Sequence, residues 1–144
     1  MRKVPGNSRA KTRTPVLVVG SSAKKGPSWL DRCGFSATPC LDAKDALKML
    51  SLGRHQAVLC DLELVGMDGT ALMNAVCADF PDVAVVAITR PRKLRHGVLA
   101  MFAGASGYIQ TPLHPEIVVA SLRNALNKKR LNCAVRGLNF SVSN

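Results

Sequence analysis

Short, unbroken apolar runs, each closed by a small or polar residue, set the strongest limit on how this chain can fold. Residues 15–19 read Pro-Val-Leu-Val-Val and stop at Gly20. Residues 57–60 read Ala-Val-Leu-Cys and run into Asp61. Residues 83–88 read Val-Ala-Val-Val-Ala-Ile and run into Thr89. A strand with one wet face alternates apolar and polar side chains, whereas a strand covered on both faces reads as a continuous apolar run. The remaining segments must therefore cover a sheet on both sides. Two weaker runs, residues 35–41 and 107–109, complete the strand set; Pro39 marks the first of these as an edge, because proline lacks the N–H that a central ladder needs.

Helical period fills the gaps between the runs. Residues 28–33 allow only a short helix between the break at Gly26-Pro27 and Gly34. Residues 44–52 put Ala46, Leu47 and Leu50 on one face, with Asp42 as cap and Gly53 as stop. Residues 70–79 carry Ala71, Leu72, Ala75 and Val76. Residues 94–103 form a fourth helix ended by Gly104, and residues 116 to about 129 a fifth, with Ile117, Val118, Leu122 and Leu126 inward. Five strands alternating with five helices predict an α/β fold, a doubly wound five-stranded parallel sheet with helices on both faces and right-handed connections.

Charge divides the chain differently. Residues 1–14 hold Arg2, Lys3, Arg9, Lys11 and Arg13 with no acid, and residues 127–144 hold Lys128, Lys129, Arg130 and Arg136 with no acid. The body between them is nearly neutral, although the whole chain carries a formal charge of +11. The expected organisation is a basic, disordered tail over 1–14, one folded domain over 15–129 and a basic tail over 130–144. Such ends attract nucleic acid, acidic proteins or anionic surfaces without specificity. A hydrophobic fraction of 47% excludes global disorder. No run of eighteen apolar residues is present, so no membrane span is expected, and no apolar segment of a signal peptide follows the basic N-terminus.

Cys33, Cys40, Cys60, Cys77 and Cys133 are odd in number, with no C-x-x-C pair and no Cys/His group at metal-ligand spacing. Cys40, Cys60 and Cys77 fall in apolar periodic segments, as buried thiols do. A reducing, cytoplasmic setting is expected rather than a disulfide framework. His55, His96 and His114 are scattered and read as surface residues. No nucleophile–base pair, metal cluster or phosphate-cradling glycine loop is visible, so no catalysis is expected and no cofactor is assigned.

Open parallel sheets bind their ligands beyond the C-terminal ends of the strands. The residues to inspect are Gly20, Ser21 and Ser22; Asp61; Thr89 and Arg90; and Gln110 and Thr111. Here the sequence resembles the receiver domain of bacterial response regulators. Asp61-Leu-Glu-Leu-Val-Gly-Met-Asp-Gly69 is similar to the family's phosphoacceptor aspartate and its turn. Ala87-Ile-Thr89 is similar to the fourth strand ending in the switch hydroxyl. Gly104-Ala-Ser-Gly-Tyr-Ile-Gln-Thr-Pro112 is similar to the segment that carries the switch aromatic, here Tyr108, and then a Lys-Pro pair. The resemblance covers residues 15 to about 129 and implies the strand order 2-1-3-4-5.

Departures from the family pattern carry the functional expectation. The two adjacent acids that hold magnesium in the family read Gly20-Ser21. The lysine reads Thr111, and the proline four residues after the acceptor reads Val65. The first helix is also shorter than the family's. Magnesium needs oxygen ligands in a near-octahedral array, and Asp61 alone would hold it weakly. An aspartyl phosphate brings nearly two negative charges, and neither a bound magnesium nor the lysine would neutralise them. Asp61 is therefore expected to stay unphosphorylated, held by hydroxyls of Ser21, Thr89 and Thr111 and by Arg90, which is placed to reach over the site.

The resulting expectation is a pseudo-receiver, a module that signals by phosphorylation-independent protein contact. Tyr108 would keep one setting, and the partner would meet the face of the fourth helix, fifth strand and fifth helix, near Arg90, Arg92, Lys93 and Arg95. That face also carries dimerisation in the family. Two alternatives stay open: a working phosphoacceptor at Asp61 with a degenerate metal site, and a nonspecific nucleic-acid binder acting through the basic tails and the 90–95 loop.

Overall fold

A computed structural model describes residues 13–20, 28–62, 69–90, 94–102 and 104–143. Five strands, β1 (Thr14–Val19), β2 (Phe35–Cys40), β3 (Ala57–Asp61), β4 (Ala84–Thr89) and β5 (Gly107–Gln110), form one sheet in the order β2-β1-β3-β4-β5. Every adjacent pair is parallel. The doubly wound topology expected from the sequence is present. β2 is an edge, and its Pro39 lies opposite Val18 of β1, where a missing N–H faces away from the rest of the sheet.

The helices are α1 (Ser28–Arg32), α2 (Ala43–Ser51), α3 (Gly69–Asp79), α4 (Leu94–Phe102) and α5 (Pro115–Ser143). Period-2 alternation sends successive side chains of each strand to opposite faces. Val16 and Val18 of β1, Leu59 of β3 and Val86 and Ile88 of β4 pack with Leu30 of α1 and Val118, Leu122 and Leu126 of α5. Leu17, Val19, Val58, Val85 and Ala87 pack on the other side with Ala46 and Leu50 of α2 and Leu72, Met73 and Val76 of α3. The continuous apolar runs are thus two interleaved half-patterns, each serving its own core.

Local chemistry sets the ends of the elements. The Asp42 side chain accepts a 2.8 Å hydrogen bond from the Asp45 N–H at the start of α2. Gly53 follows that helix with φ +74°, a conformation that glycine adopts without steric cost.

Two expectations need correction. The fifth helix does not stop near Lys129 but continues to Ser143. Apolar period reports burial, not helicity, and the pattern fades at Leu131, which is 64% exposed. No proline interrupts the segment beyond it. His55 is half-buried rather than a surface residue. His114 is exposed as expected, and the side chain of His96 lies outside the described residues. Residues 1–12 of the N-terminal tail also lie outside them.

Among the described cysteines, Cys40 and Cys60 are buried, Cys33 and Cys77 are half-buried, and all four are free thiols. No helix among the described residues is long and apolar enough to cross a membrane.

Candidate functional site

The C-terminal ends of β1, β3, β4 and β5 lie side by side, and the sheet register aligns their last residues. Val19 lies opposite Cys60, Asp61 opposite Ile88, and Thr89 opposite Gln110. Gly20, Asp61, Thr89 and Thr111 therefore end neighbouring strands or follow them directly. Backbone bonds carry the row past the sheet proper: Leu62 N–H donates to the Ile88 carbonyl at 3.0 Å, and Thr111 N–H donates to the Thr89 carbonyl at 2.9 Å. The Thr111-Pro112 peptide bond is cis.

Asp61 and Thr89 are each only 2% exposed, and they are the buried polar side chains of the described core. A buried carboxylate needs a counter-charge or donors. Arg90, the residue after β4, supplies a cation: its guanidinium Nη2 lies 3.8 Å from Asp61 Oδ2. The Arg90 side chain is 43% exposed, so it spans from solvent to the buried acid. Beneath the site, burial and the adjacent Asp61 charge push the Cys60 thiol up to about 12. Cys60 is therefore protonated and inert at neutral pH.

Gly20 closes β1 with φ +111°, and its N–H donates to the Cys40 carbonyl at 2.9 Å. Side chains rarely adopt that conformation. An acid at this position would have to strain the backbone or reshape the strand end. Among the described residues, the Asp61 carboxylate is accompanied by the buried Thr89, by Gly20 at the end of β1 and by the Arg90 guanidinium. These described residues supply one carboxylate beside a cation, a poor fit to a divalent cation, which needs several oxygen ligands and is repelled by the arginine.

Ser21 lies outside the described residues, as do Arg92 and Lys93. Thr111 is half-buried beside Thr89. Arg95 is exposed on α4. Tyr108 stands on β5 opposite Ala87 and is 37% exposed. The face it belongs to holds a feature not read from the sequence: Val98, Leu99, Met101 and Phe102 of α4 are all exposed, Phe102 at 85%. The only sequence signal for it was the density of apolar residues around that helix, more than one buried stripe requires.

Comparison with known proteins agrees with this architecture. Residues 13–123 match the family model of the response regulator receiver domain, and the chain belongs to that family. It is 32% identical over 109 residues to the C4-dicarboxylate transport transcriptional regulatory protein DctD of Rhizobium meliloti, covering 76% of this chain and 24% of that one. It is 31% identical over 107 residues to the nitrogen assimilation regulatory protein NtrX of Azorhizobium caulinodans, covering 73% of this chain and 24% of that protein. The chain thus spans about a quarter of the length of these relatives. Among solved structures, NtrX from Brucella abortus superposes with a TM-score of 0.80 at 24% identity, over 88% of this chain and 29% of that one. A CheY-like receiver domain protein from Methanospirillum hungatei superposes with a TM-score of 0.75 at 21% identity, over 83% and 98% of the two chains. The chain is a receiver domain of the two-component response regulator type.

Proposed function

We propose that this receiver works without phosphorylation, as a pseudo-receiver that signals through protein contact. One observation carries the reading: the acceptor-position carboxylate of Asp61 lies beside Arg90, at a strand end where the acidic pair is replaced by Gly20 and Ser21. Phosphoryl transfer to a carboxylate depends on cations placed over the moving phosphoryl group. An arginine beside the acceptor neutralises its charge and competes for the oxygens that must attack. Thr111 in place of a lysine removes the second cation that the family uses there.

The α4–β5–α5 face is where the partner is proposed to dock. Val98, Leu99, Met101, Phe102 and Tyr108 expose apolar and aromatic surface there, and Arg95 adds charge beside them. Aromatic and arginine side chains concentrate binding energy at interfaces. A protein partner, including a second copy of the chain, fits that chemistry. Arg92 and Lys93 are proposed to extend the same basic rim, and a cytoplasmic setting follows from the free thiols and the family's signalling role.

A magnesium titration followed by amide NMR tests the reading. Asp61, Leu62 and Thr89 are expected to stay unmoved through several millimolar magnesium. Saturable shifts centred on Asp61 within that range would restore the phosphoacceptor alternative.

A further inference from the structure

At the end of the sheet opposite Asp61, the turn after α1, the starts of β1 and β2, and α5 form an open cleft of ≈ 350 Å³ lined by Thr14, Cys33, Gly34, Arg123, Asn127 and Arg130, with Phe35 and Leu126 as its apolar residues. Its polar side chains are donors or can act as donors: two guanidiniums, an amide and a hydroxyl. No carboxylate lines it. Arg123, Asn127 and Arg130 follow at i, i+4 and i+7 and so share one face of α5. Arg123 is already anchored, its Nη2 donating to the Cys33 carbonyl at 3.2 Å. A guanidinium has five N–H groups, and this bond uses one. α1 ends at Arg32, directly before the cleft residue Cys33.

The surrounding chain carries more bases than acids. No acid occurs before Asp31 or after Glu116. The flanks of the cleft add bases, Arg13 directly before Thr14 and Lys128 and Lys129 directly before Arg130, against two acids on the adjoining helices, Asp31 of α1 and Glu116 at the start of α5. Lys128 and Lys129 reach the Ser106 and Pro81 carbonyls at 3.2 and 2.8 Å, which extends the positive charge across the N-terminal ends of the strands. The sequence before Arg13, residues 1–12, holds four further bases and no acid.

We infer that this cleft and the basic surface around it bind the phosphate backbone of nucleic acid, independently of the Asp61 end. Guanidiniums match phosphate oxygens in a planar, bidentate fork. Arg123 and Arg130 lie about 10 Å apart along the helix axis, roughly the rise of three phosphates on one strand of a duplex. A single small anion would use the cleft but not the bases that continue beyond it, whereas a polyanion uses both. Contacts to the phosphate backbone carry no sequence information, so binding through them is independent of sequence and sensitive to salt.

The test is fluorescence anisotropy of a short labelled duplex of arbitrary sequence with the full chain, across a salt series. R123Q/R130Q is expected to weaken binding roughly tenfold or more at low salt and to reduce the slope of log K against log salt by about two. K44Q/K48Q removes the same charge from exposed positions of α2 and is expected to do neither. R130Q alone, which leaves the Arg123–Cys33 bond intact, is expected to give about half the slope change, so a folding defect in the double variant cannot account for the result. Equal losses in R123Q/R130Q and K44Q/K48Q would overturn the assignment, since net charge alone would then drive binding. It would also be overturned by no duplex binding at low salt, by saturable inorganic phosphate binding without the duplex, or by polyglutamate displacing the duplex at equal charge.

Discussion

Asp61 is governed by a cation that the chain itself places beside it. The sequence already showed this pairing, because Arg90 directly follows the strand-end hydroxyl Thr89 and the topology puts that strand next to β3. The same sequence did not show that Gly20 would take φ +111°; a glycine after a strand is compatible with several backbone conformations, and only the fold selects one. His55 was misread for a related reason. Its burial comes from packing beside the end of α2, which no local period reports. Burial lowers its pKa from 6.5, with the charge of Arg54 acting in the same direction and a hydrogen bond to the Met49 backbone opposing both. Above about pH 6.5 the imidazole is neutral in both states, and its contribution to stability is complete. As the pH falls, the unfolded chain protonates first and stability is lost through the lower folded pKa. His55→Gln is therefore expected to flatten the fall in urea-unfolding free energy below pH 6.5. An unchanged slope in the variant would show that other groups carry the acid sensitivity.

Elements were legible where burial imposed a period and illegible where it did not. All five strands and five helices were expected from apolar runs and turn residues, and the differences lie at their ends. The extension of α5 to Ser143 is the largest, since the apolar period on which the sequence reading rests fades at Leu131. The exposed α4 face is the converse: its residues are apolar, and nothing local in the sequence marks an apolar side chain as exposed. Between α4 and β5, Gly104 is a position where the fold does demand glycine. Its φ is +112°, and an added Cβ would lie 3.3 Å from both Cβ and Sγ of Cys77. Gly104→Ala is expected to cost about 1–3 kcal/mol in unfolding free energy. Gly107→Ala, where an added Cβ meets nothing within 4 Å, is expected to cost far less. Similar losses at both positions in chemical denaturation would show that neither backbone strain nor the Cys77 contact sets the requirement.

At the scale of the molecule, the two ends of the sheet divide the chemistry. The C-terminal end sets Asp61 and Thr89, the proposed counterparts of the family's acceptor aspartate and switch hydroxyl, beside Arg90, with Gly20 closing the neighbouring strand. The N-terminal end gathers Arg123 and Arg130 of α5 beside Thr14 of β1, residues far apart in sequence, which is why the cleft itself was not legible before the fold. The central claim, that Asp61 is not a phosphoacceptor, is tested most directly by intact mass after the purified chain is incubated with acetyl phosphate and magnesium, beside Asp61→Asn. The account predicts no phosphoryl adduct on either protein. A stoichiometric adduct on the wild-type chain that Asp61→Asn abolishes would contradict it.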